Sequence, residues 1–194
     1  MKNFMRIASG VDVMPLMMEL KRQPELWNAT PYRTKFESSP HRETDDIWLR
    51  YKDIKEEVET NDFSTIASEH DSVWYPAYDK LPSCRAMIFD LMARVQGERL
   101  GGVLIYRVPP GKQIYEHVDR GWHPEYYDKF NISLQSNLLC PLIYTRHDEA
   151  MRSDTGDVFW FRNTIPHMVK NDSNEDQIIM CVCIRCNAQG TGGK

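Results

Sequence analysis

The sequence predicts a mainly β domain, a sandwich or jelly roll with helices from its N-terminal half packed on one sheet. Three observations predict it. From about residue 101 the apolar period changes from helical to two. Several short β-rich runs then follow one another, separated by turn signals such as "PPG". The one strong helical stripe lies before them, between Ser83 and Gly97.

The elements follow in order. "DVMPLMMELKRQPELW" can start a helix with Asp12 as N-cap and Pro15 in the first turn, ending near Pro24. "TPYRTKFESSPHRETDDIWLRYKD" is rich in turn formers and leads to a strand-like piece, "DIWLRY". In "LPSCRAMIFDLMARVQGERLGG", Ser83 can cap a helix whose Met87, Ile88, Leu91, Met92 and Val95 share one apolar face, with Gly97 to end it. That stripe reads as core. "GVLIYRV" and "KQIYEHVD" are the next strands. "KFNISLQS" alternates strictly, with Lys129, Asn131, Ser133 and Gln135 on one face and Phe130, Ile132 and Leu134 on the other. "LLCPLIYT", the aromatic "TGDVFWFRN" and "QIIMCVCIR" complete the set. No repeat or linker divides the chain. It reads as one domain over 1–194, with helical and irregular support over 1–100, a β core over 101–186 and a frayed polar tail over 187–194.

Bulk properties remove several function classes. A chain of 194 residues can bury a sizeable core without disulfides. The net charge of -4 and the lack of a basic block argue against nucleic-acid binding. No apolar run reaches membrane-span length, and "MKNFMRIASG" lacks the apolar core of a signal peptide. The expected compartment is therefore the cytoplasm. There Cys84, Cys140, Cys181, Cys183 and Cys186, an odd set, are expected as free thiols. "CVCIRC" reads as small core residues alternating with Val182 and Ile184, because no partner pair completes a zinc site. No glycine-rich phosphate loop supports a nucleotide cofactor.

The chemistry gathers in "QIYEHVDRGWHPEYY". On an extended segment His117 and Asp119, two residues apart, point to one side. His167, fifty residues later at the end of a β segment, is the best third ligand. Two histidines and one carboxylate that leave a face open suit Fe(II). The alternative is a solvated strand end, since His-x-Asp is common by chance. His123 can touch substrate or lie in a solvated loop. Trp122, Tyr126 and Tyr127 can form a lid or fasten that loop to the core. Arg33, His41 and Arg50 can reach the mouth of the barrel, where a carboxylate-bearing substrate would want an arginine. Structural ion pairs with Glu43, Asp45 or Asp46 are the simpler account. Trp160 and Phe161 read as sheet packing.

Four stretches, "YRVPPGKQIYEHVD", "KFNISLQSN", "GDVFWFRNTIPHMVKND" and the closing strand, resemble the aspartyl/asparaginyl β-hydroxylase-like group of Fe(II)/2-oxoglutarate dioxygenases. The resemblance covers roughly residues 100 to 185, and "LWNATPYRT" and "SSPHRETDDIWLRY" look like the N-terminal region of small members. It implies a double-stranded β-helix (jelly roll, cupin-like) core, with His117, Asp119 and His167 as iron ligands and 2-oxoglutarate and dioxygen as cosubstrates. It also implies hydroxylation of an unactivated C–H bond in an amino-acid-like small molecule or a protein side chain. Where the group places an arginine for the far carboxylate of 2-oxoglutarate, this chain has Gln177, which can hydrogen-bond that carboxylate but brings no charge. Lys129 then becomes the favoured anchor, supported by Tyr106, Asn131 and Arg185, with Arg107 a further candidate. Two other classes stay open: a cupin-type metal enzyme that uses the same triad without 2-oxoglutarate, and a non-catalytic β-sandwich binding protein.

Overall fold

The computed structural model of the chain describes residues 2–30 and 32–186; the tail expected at 187–194 lies outside the described residues. The first half carries β1 (Phe4–Ala8), α1 (Met14–Arg22), α2 (Tyr32–Lys35), β2 (Asp45–Lys52), α3 (Lys55–Thr60), β3 (Ser72–Trp74), α4 (Ala77–Lys80) and α5 (Cys84–Arg94). Then come β4 (Gly97–Val108), β5 (Gln113–His117), α6 (Trp122–Tyr126), β6 (Asp128–Gln135), β7 (Leu142–Tyr144) and β8 (Glu149–Met151). The last strands are β9 (Val158–Phe161), β10 (His167–Lys170) and β11 (Gln177–Cys186). They form two sheets, of order β1-β9-β6-β11-β4-β2-β3 and β5-β10-β7-β8, with antiparallel pairings throughout.

The seven-stranded sheet is covered on both faces. Leu16 and Leu20 of α1 and Ile88 and Leu91 of α5 pack on Ile47, Val103, Ile132 and Met180. The other face meets the four-stranded sheet through Tyr106, Leu142, Phe161, Val169 and Ile179. Double coverage explains the near-continuous apolar run of β11, in which every residue from Gln177 to Ile184 is buried. It also changes the meaning of the β6 alternation. Asn131 and Ser133 face the second sheet and are buried, rather than being wetted by solvent.

Local chemistry sets the element ends. The N-cap of α1 is Val13 rather than the expected Asp12; the Asp12 carboxylate accepts the Met14 N–H at 3.1 Å just ahead of the helix, and Pro15 lies in the first turn. Ser83 precedes α5 but does not cap it; its hydroxyl donates to Glu19 instead. The left-handed residue after α5 is Gln96, not Gly97. Gly97 already opens β4, where a Cβ would meet the Ile184 side chain at 2.5 Å. The boundary expected at residue 100 does not divide the sheet, because β1, β2 and β3 all extend it. β1 was not readable: its five residues pair only with β9 at the sheet edge, and their exposure follows no period of two. Among the described residues no helix is long and apolar enough to cross a membrane.

Candidate metal centre

The three proposed ligands converge between the sheets. β5 and β10 are neighbours, and His117 and His167 are direct cross-strand partners with ring centroids 4.4 Å apart. His167 opens a strand rather than closing one, a correction to its expected position. Asp119 lies two residues past the end of β5, where its N–H donates to the Asn163 carbonyl at 3.0 Å and keeps the segment extended. One donor atom from each of His117, Asp119 and His167 lies within 4.8 Å of the others.

The polar atoms around the triad leave the right ones free. His117 Nδ1 lies 2.8 Å from the Tyr115 carbonyl, and His167 Nδ1 lies 2.8 Å from the Ile165 carbonyl. A carbonyl only accepts, so each Nδ1 carries the proton and each Nε2 presents its lone pair. His117 Nε2 is buried without a hydrogen-bond partner, 3.3 Å from Asp119 Oδ1. The second carboxylate oxygen, Oδ2, accepts from Lys129 Nζ at 2.7 Å and Asn163 Nδ2 at 2.8 Å. Two imidazole nitrogens and one carboxylate oxygen therefore remain, a donor set that fits a divalent iron.

Charge and burial tune these groups. Burial alone would raise the Asp119 carboxyl, but the Lys129 ammonium reverses this and holds it well below the usual carboxylate range. Burial would lower the Lys129 ammonium, and Asp119 more than reverses that, so it stays charged. Burial, helped by His117, pulls His167 down to about 4. An imidazole so placed is neutral, as a metal ligand must be.

These groups line a cavity of about 270 Å³ between the sheets. Lys129, Tyr106, His123, Arg33 and His41 all line it. Asn131 donates to the Tyr106 hydroxyl at 3.3 Å, with its own Oδ1 buried and unpartnered. Asn131 lines a separate small cavity beyond Tyr106, together with Gln177. Gln177 is spent there on the backbone N–H of Asn137 and the hydroxyl of Ser136. The structure does not bring the remaining arginine candidates to the cavity. Arg185 donates to the Tyr126 carbonyl at 3.1 Å and lies over that ring. Arg107 pairs with Asp45 at 2.6 Å. Arg50 ties the Ser72 and Leu100 carbonyls together.

The loop after Asp119 is packed, not solvated. His123 Nε2 accepts the Gly102 N–H at 3.1 Å, and a Cβ at Gly102 would meet the Tyr51 ring at 2.9 Å. Burial, then His70, lowers His123 to about 3. Tyr127 reaches the cavity, whereas Trp122 and Tyr126 stack on each other at 4.9 Å. Phe161 lies in the cavity wall beneath the Lys129 ammonium, and Trp160 donates to Asp128. All five cysteines are free and buried. Cys181 and Cys183 face the cavity rather than plain core.

Sequence reading missed Asn163, Trp48 and Tyr51. Asn163 had one signal, a polar residue two positions after an aromatic strand. Trp48 and Tyr51 had none, because their strand lies far from the triad in sequence.

The architecture matches solved proteins. The fold is a cupin-like jelly roll. A prolyl hydroxylase from Trichoplax adhaerens, solved with a hypoxia inducible factor peptide fragment, matches over 95% of this chain and 84% of its own, with TM-score 0.56 and 12% identity. The viral collagen prolyl hydroxylase of Paramecium Bursaria Chlorella virus-1, solved with 2OG, matches over 96% and 97%, with TM-score 0.52 and 11% identity. A 2OG-Fe(II) oxygenase family oxidoreductase from Burkholderia pseudomallei matches over 73% of this chain, which spans 66% of that one, with TM-score 0.53 and 9% identity. At such identities the likeness is one of fold. No family model matches the chain, and no curated protein matches it in sequence.

Proposed function

We propose that this protein is an Fe(II)- and 2-oxoglutarate-dependent dioxygenase of the aspartyl/asparaginyl β-hydroxylase-like kind. It hydroxylates an unactivated C–H bond of an amino-acid-like small molecule or a protein side chain. The observation that carries the reading is the free Nε2 of His117 and of His167 beside Asp119 Oδ1, all lining a cavity. Those three atoms would hold the iron, which supplies dioxygen activation coupled to oxidative decarboxylation of 2-oxoglutarate.

The chain's own residues do the rest. Tyr115 and Ile165 carbonyls fix both imidazole tautomers. Asn163 and Lys129 hold the Asp119 carboxylate so that Oδ1 faces the histidines. Lys129 Nζ lies 2.7 Å from Asp119 Oδ2, and its ammonium is the anchor for the far carboxylate of 2-oxoglutarate, with Tyr106 and Asn131 beside it. Tyr127 and His123 close the cavity on the side of the α6 loop and keep water from the reacting centre.

One observation favours a second reading, a cupin-type metal enzyme that does not use 2-oxoglutarate. Gln177 is neutral and engaged elsewhere, and Lys129 is already paired with Asp119. Succinate separates the two readings. Protein supplied with Fe(II), 2-oxoglutarate and air should form succinate, and His117→Ala should not. A parent that binds iron but forms no succinate, with or without candidate substrates, supports the second reading.

A further inference from the structure

Arg33 lies on the cavity wall with one guanidinium nitrogen, Nη1, free of hydrogen bonds. Its Nη2 meets the His41 ring at 2.9 Å, while Nη1 stands 3.7 Å from the Asp46 carboxylate. That second distance exceeds a hydrogen bond. Nη1 and both Asp46 oxygens are buried and unpartnered. A structural arginine–carboxylate pair would close into a bidentate fork, and this one is splayed.

The cavity as a whole carries surplus positive charge. Among the described residues, Arg33, Arg120 and Lys129 line it against the single carboxylate of Asp119, with Asp46 behind Arg33. A divalent iron and a dicarboxylate cosubstrate cancel each other, so the cavity lining keeps its surplus of positive charge. Tyr32, Trp48 and Tyr51 form the neighbouring wall, with ring centroids 6.2 Å apart for Tyr32 and Trp48 and 5.2 Å for Trp48 and Tyr51. The volume of about 270 Å³ lies just below the about 300–1,000 Å³ usual for small-molecule pockets, which suits a small substrate.

We propose that Arg33, with Arg120 at the rim, is the subsite for one carboxylate of the substrate, and that Tyr32, Trp48 and Tyr51 receive its apolar or aromatic body. The substrate class is thus a small monocarboxylate with a bulky apolar group. This inference rests on the dioxygenase reading, which sets the charges of metal and cosubstrate.

The test is anaerobic calorimetry on protein loaded with Fe(II) and 2-oxoglutarate. The probes are 3-phenylpropanoate and its primary amide, equal in shape and different in charge. The acid should bind at least tenfold more tightly than the amide. In Arg33→Gln that preference should fall to about twofold or less, with the visible band of chelated 2-oxoglutarate unchanged. Should Arg33→Gln not fold, Arg120→Gln carries the test: its acid affinity should drop at least threefold and its amide affinity should not change. Equal affinities in the parent, or no binding of either probe, overturn the proposal. Loss of the band in Arg33→Gln also overturns it, because Arg33 would then be a cosubstrate anchor. A parent without the band removes the dioxygenase reading, and the acid–amide comparison on the metal-free chain then decides the subsite separately.

Discussion

On β11, Ile178, Met180, Val182 and Ile184 face the helices, while Ile179, Cys181 and Cys183 face the second sheet. The same strand thus serves two interiors with opposite chemistry. The helix-side interior is apolar and closed by α1 and α5. On the cavity side His117 Nε2, Asn131 Oδ1 and Arg33 Nη1 are buried without partners. An unpaired buried polar group costs about 1–3 kcal/mol. Stability therefore rests mainly on one face and chemistry on the other, and variants on the two faces should fail in different ways.

The largest expected effect is on metal binding. His167→Ala removes one of three ligands and should weaken Fe(II) affinity at least a hundredfold while the chain stays folded; equilibrium titration with circular dichroism reads both. Unchanged affinity would break the ligand set. On the opposite face, Ile88 is fully buried in α5. Ile88→Ala should cost about 2–5 kcal/mol in urea unfolding, with Fe(II) affinity of the folded protein unchanged. Next is Lys129→Ala, which should raise the 2-oxoglutarate requirement severalfold or more. Gln177→Ala, outside the main cavity, should change that requirement less than twofold. Equal effects from the two would remove Lys129 from the anchor role.

The smallest effect is a slope against pH. His123 is buried and its folded value, about 3, lies below the ordinary histidine value of 6.5. The unfolded chain binds the extra proton first, so stability is whole above about pH 6.5 and falls as pH drops toward 3. Between pH 6.5 and 5 the loss should be roughly 1–2 kcal/mol. His123→Gln should flatten that part of the profile, measured by urea unfolding; an unaltered slope would assign it to other groups.

Much of this division was legible in the sequence. The alternation of β6 separates Phe130, Ile132 and Leu134 from Lys129, Asn131 and Ser133, which are the two faces of the sheet. The helical stripe of α5 marks the apolar interior, and Met87, Ile88 and Leu91 are indeed buried there. His117 and Asp119 were readable because a period of two keeps them on one side. Whether the polar face of β6 is wet or buried was not legible, since alternation reports sides and not what covers them. The position of Arg33 and His41 beside the triad depends on how the turn-rich segment before β2 folds back over the sheets. No local period encodes that path. Parity gives a side of β11 but not a distance along it, so the places of Arg185 and Gln177 relative to the cavity were not legible. Both share the cavity-side parity, yet they stand at opposite ends of the strand, beyond the reach of the triad.

One measurement bears most directly on the central claim. Metal-free protein is titrated anaerobically with Fe(II) and then 2-oxoglutarate, with His117→Ala in parallel, and the visible spectrum is followed. A weak, saturable charge-transfer band in the parent and none in the variant is the predicted result. A parent that binds no stoichiometric iron, or a band that survives in His117→Ala, would contradict it.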